Sequence, residues 1–187
     1  MSSRFDILDT PLQGVKLVQR KPIRDSRGYL ERLFCADELQ ALLPGKGIVQ
    51  INRTLTGKRG TVRGMHFQRP PYAETKYVSC LRGAVFDVAV DVREGSPSFL
   101  HWHAEVLSAD NHKTLVIPEG FAHGFQTLTE DCEMLYFHTA AHRPEAEIGL
   151  NAKDPGLRIR WPEAITELSS RDAAHPVVTT KFRGVSL

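Results

Sequence analysis

The residues best suited to chemistry fall in two short stretches. The first runs Arg63-Gly64-Met65-His66-Phe67-Gln68-Arg69-Pro70-Pro71 and reaches Lys76 a few residues later. It sets a histidine, a glutamine, two arginines and a lysine into a region otherwise built from alternating apolar residues. A histidine in such a strand takes or gives a proton near neutral pH. Arg63 and Lys76 supply fixed positive charge close by, and Gly64 leaves room for another group to approach the backbone. The second stretch, Pro118-Glu119-Gly120-Phe121-Ala122-His123-Gly124-Phe125, places another histidine in a similar strand context. These two segments are expected to face each other inside one β-barrel whose interior is an enzyme pocket.

The elements that must position them are mostly strands. Val15 to Gln19 alternates loosely, and Asp25-Ser26-Arg27-Gly28 has the composition of a turn leading into extended chain over Tyr29 to Phe34. Ala36 to Leu43 is the best short helix, with Asp37 and Glu38 suiting its first turn and Pro44-Gly45 stopping it. From Ile48 onward the pattern is β: Ile48–Leu55, Thr61–Gln68, Tyr77–Leu81, Ala84–Val92, His101–Leu107, Lys113–Ile117, His123–Leu128 and Glu133–Ala140. Within Ala84–Val92, Phe86, Val88, Val90 and Val92 fall on one face and Val85, Asp87, Ala89 and Asp91 on the other, a period of two. Short strands at roughly ten-residue spacing with turn residues between them indicate an all-β sandwich or barrel. Beyond Pro144 the chain is less regular. Leu157 to Trp161 reads as a late strand, and Ser169-Ser170-Arg171-Asp172 as a helical turn or a segment crossing the barrel mouth.

The whole-chain totals narrow the function. At 187 residues the chain is read as one domain, with the irregular part over 144–187 packed on the barrel. Hydrophobic residues make up 41% and charged residues 25%, an ordinary globular composition. A net charge of only +2 argues against a nucleic-acid partner. No apolar run approaches the ~20 residues of a membrane span, and Met1-Ser2-Ser3-Arg4-Phe5-Asp6 lacks the apolar core of a signal peptide. The expected setting is cytoplasmic, with no membrane partner. Cys35, Cys80 and Cys132 are widely spaced and form no CxxC pair, which fits reduced thiols buried as small hydrophobes.

Each chemical candidate has a plainer reading. His66 and Gln68, two apart, share a strand face, as a satisfied core histidine also would. Arg63 points the other way in a regular strand, so a bulge at Gly64 is needed to bring it alongside. Pro118-x-Gly120-x-x-His123 reads as a turn lifting His123 into a pocket, and it resembles the second motif of cupin barrels. Metal-binding cupins carry a His-x-His pair plus a glutamate in the first motif. Here that motif offers His66-x-Gln68, with Glu74 at a different spacing, so a metal is the minority reading. His101-Trp102-His103 has ligand spacing but reads as surface. Met134, Tyr136 and His138 share a face, and Tyr136 doubles as a core tyrosine with its hydroxyl at the rim. Asp87 and Asp91 are either hydrogen-bond anchors at the barrel mouth or exposed.

Taken together, the motifs resemble the dTDP-4-dehydrorhamnose 3,5-epimerase family over about Asp25 to Asp172. They are Arg63-Gly64-Met65-His66-Phe67-Gln68, Pro70-Pro71 to Lys76, Phe86 to Arg93, Ser96-Pro97, Leu107-Ser108, Ile117-Pro118-x-Gly120-Phe121-Ala122-His123-Gly124-Phe125, Tyr136, Glu147, Asp154-Pro155, Trp161-Pro162 and Leu168-Ser169-x-x-Asp172. The resemblance implies an all-β cupin jelly roll with a few short peripheral helices, a homodimer exchanging strands, and no metal or organic cofactor. It implies that His66 is the base, Asp172 orients it, Lys76 lies beside the substrate carbonyl, and Tyr136 is the acid on the opposite face. It places Arg63 and His123 in the pocket, Gln50 and Asn52 at the nucleotide end, and Arg27 as an arginine reaching the partner subunit's site. Gln68 and His142 complete the expected substrate-binding set.

These residue types suit the implied reaction. Removing a proton α to a ketone needs a neutral imidazole held in one tautomer by a carboxylate. The enolate needs a cation near its oxygen, and inversion needs a proton from the other face. A diphosphate handle accounts for the arginines. The sequence departs from the family at Phe137 (often lysine), His142 (often tyrosine), Asn151-Ala152 (often arginine-tryptophan), Leu30 (often phenylalanine) and Arg32 (often glutamate). Most of these fall at the nucleotide side, which leaves open the nucleotide, the sugar, and whether C3, C5 or both are inverted. The alternatives are a metal-dependent cupin enzyme using His66, Gln68 and His123, and a non-catalytic cupin that binds a sugar nucleotide.

Overall fold

A computed structural model describes residues 3–43 and 45–187. In chain order its strands are β1 (Phe5–Asp9), β2 (Lys16–Arg20), β3 (Ile23–Asp25), β4 (Gly28–Leu30), β5 (Gln50–Thr56), β6 (Thr61–Gln68) and β7 (Lys76–Arg82). There follow β8 (Ala84–Asp91), β9 (Trp102–Ser108), β10 (Lys113–Ile117), β11 (Phe121–Thr127), β12 (Cys132–His138), β13 (Glu147–Gly149) and β14 (Glu167–Leu168). One short helix, α1 (Ser170–Ala173), closes the series. The chain is thus all-β, as its strand spacing and motifs imply.

Two sheets face each other. One runs β1-β2-β10-β7-β12-β5 and the other β13-β6-β11-β8-β9, with β14 also on β6. Between them lies a core to which Leu17, Val78, Cys80, Leu115 and Met134 contribute from the first sheet, and Val85, Ala89, Leu107 and Phe125 from the second. The alternation read in β8 holds: Val85 and Ala89 enter this core, while Phe86, Val88 and Val90 point outward. Both faces of β8 are covered because the C-terminal segment folds over the second sheet, bringing Leu157, Ile159, Trp161 and Phe182 onto it. Cys80 and Cys132 are buried and Cys35 half-buried, all three as free thiols. Among the described residues no helix is long and apolar enough to cross a membrane.

Two expected elements are replaced. The helix expected over Ala36–Leu43 is a series of turns ending in one 3-10 turn, Gln40–Leu42, with no side-chain cap. So short a helix is marginal in isolation, and tertiary ties decide the backbone here. Leu39 and Leu43 are buried against Tyr77 and Phe137, and the Tyr77 hydroxyl donates to the Leu42 carbonyl at 2.8 Å. The expected stop at Pro44 lies outside the described residues. Leu157–Trp161 is not a strand either. Its side chains do alternate between buried and exposed, but Arg158 has a positive φ of 52° and the segment joins no ladder. The edge of β6 is taken instead by β13, antiparallel to residues 66–68, and β14, parallel to residues 61–62.

Candidate active site

The two motif strands are neighbours in one sheet, with His66 and His123 directly paired between β6 and β11. They do not face each other across the barrel; they present their side chains side by side. The register shifts between His123 and Phe125, because three steps of β6 (Arg63 to His66) match two of β11. That is the bulge needed at Gly64. Its φ is +122°, and a Cβ there would lie 2.5 Å from Gly124 Cα and 2.7 Å from the His123 carbonyl oxygen. Only glycine fits so close an approach. Both Arg63 and His66 consequently line one cavity of about 740 Å³, within the range of small-ligand sites.

One wall carries an imidazole–carboxylate pair. His66 Nε2 lies 2.8 Å from Asp172 Oδ1, and the acceptor-only carboxylate fixes the ring proton on Nε2, leaving the Nδ1 lone pair free. Asp172 is carried by α1, whose N-cap Ser169 accepts from the Asp172 backbone N–H at 3.0 Å. Its second oxygen accepts the Gly64 N–H at 3.3 Å. Burial alone would raise this carboxyl, but the His66 hydrogen bond and charge, Gly64 and Ser169 outweigh it and hold the pKa at about 2. Asp172 therefore stays ionised at every working pH.

A second cluster surrounds Lys76. Its ammonium donates to the His66 carbonyl at 3.2 Å and lies 3.4 Å from Glu74 Oε1. His138 Nδ1 holds the other Glu74 oxygen at 2.7 Å. Burial pushes Glu74 up, yet its His138 and Lys76 partners bring it below the ordinary value. Tyr136 stacks on His138 with ring centroids 6.1 Å apart and meets His123 edge-on at the same distance. Burial drives its phenol well above 10, only partly opposed by the neighbouring Thr54 hydroxyl and the charge of Arg63. The hydroxyl thus keeps its proton throughout the neutral range. His123 is anchored from behind, its Nε2 2.9 and 3.1 Å from the oxygens of the fully buried Asp87.

The polar rim holds Gln50, Asn52 and His142. Gln50 accepts the His142 N–H at 2.9 Å and donates to Asn52 at 3.2 Å. His142 Nε2 lies 2.8 Å from Glu147, whose other oxygen pairs with Arg171 at 2.8 Å. All of these line the cavity.

Gln68 does not line this cavity, and neither does Arg27, which is expected at a partner subunit's site. Gln68 donates to the carbonyls of Tyr72 and Ala141 and accepts from Arg143 N–H. Its amide is spent on backbone at the end of β6, so it has no free donor atom for a metal shared with His66 and His123. Arg27 sits on the β3–β4 hairpin, highly exposed and paired with Asp25, away from this chain's cavity. His101 is exposed as a surface residue would be, whereas His103 is half-buried beside Glu105, and neither lines this cavity. Asp87 and Asp91 are both fully buried anchors, the latter for Arg93, Ser96 and Ser98.

Sequence reasoning named Glu74 only as a misplaced ligand and passed over Arg171 and His175. His138 was within reach, being two residues from Tyr136 on the same strand face. His175, three residues after Asp172, offered an i, i+3 spacing that points to contact only once the helical turn is known.

Comparisons with known proteins place the chain among named relatives. The sequence profile of the family described as dTDP-4-dehydrorhamnose 3,5-epimerase matches residues 9–180. A Sinorhizobium fredii protein named dTDP-4-dehydrorhamnose 3,5-epimerase is 44% identical over 163 residues, covering 87% of this chain and 84% of its own. The Legionella pneumophila dTDP-6-deoxy-D-glucose-3,5-epimerase, solved in complex with dTDP-4-keto-L-rhamnose, superposes with a TM-score of 0.89 at 35% identity, covering 98% and 99% of the two chains. ChmJ, a 3'-monoepimerase from Streptomyces bikiniensis in complex with dTDP-quinovose, gives 0.82 at 32% identity over 91% and 86%.

Proposed function

We propose, from the premise that the chain belongs to the dTDP-4-dehydrorhamnose 3,5-epimerase family, that it inverts C3, C5 or both of a dTDP-4-keto-6-deoxy-glucose in deoxysugar synthesis. The observation that carries the reading is one cavity holding a carboxylate-oriented imidazole, a lysine and a protonated, buried phenol.

In this reading His66 takes the proton α to the 4-keto group on Nδ1. Asp172, already ionised, stabilises the imidazolium that forms and stays a carboxylate throughout. The electron pair of the broken C–H bond moves to the carbonyl oxygen, where the Lys76 ammonium offsets the developing charge. Glu74 and His138 hold that ammonium in place. Tyr136 O–H then delivers a proton to the opposite face of the same carbon, and solvent returns the phenol and imidazole to their starting states. No redox change occurs, so nothing in the balance calls for a cofactor. Arg63 and His123 line the sugar end, and Gln50, Asn52 and His142 the nucleotide end.

The same premise extends to assembly. A homodimer exchanging strands would take Arg27 to the partner's site. In support, Ile23, Tyr29 and Leu30 on the hairpin and Ile51 and Leu55 on edge strand β5 are all exposed, an apolar set that suits burial against a second copy. A cytoplasmic setting accords with free cysteines and a nucleotide-sugar substrate.

Tyr136→Phe provides the test. An enolate reprotonated by His66 on its original face gives solvent exchange without inversion. The variant, incubated with the 4-keto sugar nucleotide in D2O, should keep measurable deuterium incorporation and lose inversion at one or both carbons. Losing one hydroxyl leaves ring packing nearly intact, so the fold should persist. Product stereochemistry and rate equal to wild type would remove Tyr136 from the acid role.

A further inference from the structure

His175 has no part in the epimerisation scheme, yet it is built into the same corner of the molecule. Its ring lies against Gly149 so closely that a Cβ there would sit 2.0 Å from His175 Nε2. The ring meets His66 edge-on, with centroids 5.6 Å apart. Its Nε2 is buried and has no hydrogen-bond partner, although it points to within 3.5 Å of Asp172 Oδ1. His66 Nε2 approaches that same oxygen at 2.8 Å. A buried imidazole nitrogen left unpartnered is uncommon and calls for a reason.

Two imidazole nitrogens and a carboxylate oxygen, all within 4.8 Å of one another, are the donor set favoured by zinc-class divalent cations. Bonds of about 2.0–2.2 Å in a tetrahedral site separate the donors by roughly 3.3–3.5 Å. His175 and Asp172 already stand at that spacing, and His66 must retreat from Asp172 by about half an ångström. Gly64 N–H on the second Asp172 oxygen supplies the outer hydrogen bond that such a ligand needs. One group opposes occupancy: Arg171 Nη2 lies 3.2 Å from His66 Nε2. Its side chain is 60% exposed and tied to Glu147, so it can swing toward solvent.

We propose that His66, Asp172 and His175 form a site for a zinc-class divalent cation, and that filling it switches proton abstraction off. The chemistry of inhibition is direct. A neutral imidazole metallated on Nε2 carries its single proton on Nδ1 and has no lone pair left with which to take the substrate's proton. The inhibitory half rests on the role proposed for His66; the binding half does not.

The test uses the full chain and Co²⁺ as a spectroscopic probe. Wild-type protein should bind one Co²⁺ per chain with the visible absorption of a four- or five-coordinate site, displaced by Zn²⁺. His175→Ala and the bulkier His175→Gln should each weaken Co²⁺ binding at least 30-fold. The Zn²⁺ concentration that halves turnover should rise by a similar factor, each variant being compared with its own metal-free rate. If neither variant keeps the wild-type melting curve, imidazole NMR of the wild-type chain serves instead: Zn²⁺ should move the His66 and His175 signals together. Failure of wild type to bind Co²⁺ at millimolar concentration, unchanged binding in both folded variants, or a His175 signal that stays put would overturn the site. Co²⁺ binding as described in a protein that epimerises no 4-keto sugar nucleotide would sink the proposed function and leave the site standing.

Discussion

Replacing Asp172 by asparagine keeps the shape of the side chain while removing its charge and changing what it can donate. The carboxyl is 6% exposed and its pKa is held at about 2 against an ordinary 3.8. At about 1.36 kcal/mol per tenfold change, that depression corresponds to about 2.5 kcal/mol of interaction favouring the ionised form. Much of it comes from His66, so the variant forfeits a comparable stabilisation of the imidazolium formed during proton abstraction. A tautomer effect adds to it. If the new amide turns its NH2 toward His66, Nε2 must accept, the ring proton moves to Nδ1, and the proposed base loses its lone pair. The expected loss in kcat is therefore at least about 10²-fold, bounded above by the roughly 10⁴-fold worth of a general base. His66→Asn should cost more, because it removes the base outright.

The assay is NMR-detected deuterium incorporation into the 4-keto sugar nucleotide, run with saturating substrate so that binding is separated from chemistry. KM should move by less than about threefold, since the amide remains uncharged and outside the nucleotide end. Stability supplies an independent reading. A depressed carboxylate contributes stability that is present above about pH 3.8 and lost as pH falls toward 2. Asp172→Asn should thus lower neutral-pH stability by about 2 kcal/mol and flatten the acid limb of the wild-type curve. Exchange within fivefold of wild type, or a deficit residing wholly in KM, would show that Asp172 does not orient the base.

Asp91, fully buried and likewise held at about 2, should behave in the same direction without touching turnover. Burial alone would raise it, and Arg93, Ser96 and Ser98 more than offset that, so Asp91→Asn should cost about 2–3 kcal/mol at pH 7 by urea unfolding and steadily less as pH falls below 3.8. Gly64→Ala should lower stability by roughly 3 kcal/mol or more, because its Cβ has no room beside Gly124 and its φ is left-handed. Deuterium exchange should fall along with it as the Asp172 contact is lost. Exhaustive chelation should leave turnover undiminished. A drop restored by added metal would contradict the acid–base reading.

The fold was legible because strands announce themselves by alternation and their ends by glycine, proline and aspartate. β6 and β10 fall where the apolar pattern puts them, and β8 shows its two faces as expected. The failures share one cause. In Leu157–Trp161 the alternation reports burial truthfully, since those side chains do cover the second sheet. A strand also needs an unoccupied neighbouring edge, however, and no single-segment pattern reveals one. Ala36–Leu43 fails likewise, since its leucines are spaced for a buried helical face while Tyr77 and Phe137 set the backbone. Gln68 was misplaced because sharing a strand face with His66 does not say where the strand stops. At the last residue of β6 the side chain closes a chain reversal instead of entering the cavity.

The position of the His66–Asp172 pair follows from the same unoccupied edge. Along β6 the outer ladder is built by two unrelated segments, β13 against residues 66–68 and β14 against residues 61–62. An unbroken strand would have met the Gly64 N–H with a backbone carbonyl, as buried donors require. Here the bulge turns that N–H aside, and the helical turn after β14 delivers the Asp172 carboxylate to it. Having taken the place of a ladder carbonyl, that carboxylate still has an oxygen to spare, and His66 is the neighbouring side chain able to donate to it. Residues 106 positions apart are thus brought together by a gap in hydrogen bonding that only glycine's freedom at position 64 makes possible. The chemistry of the site and the irregularity of the sheet are the same structural event.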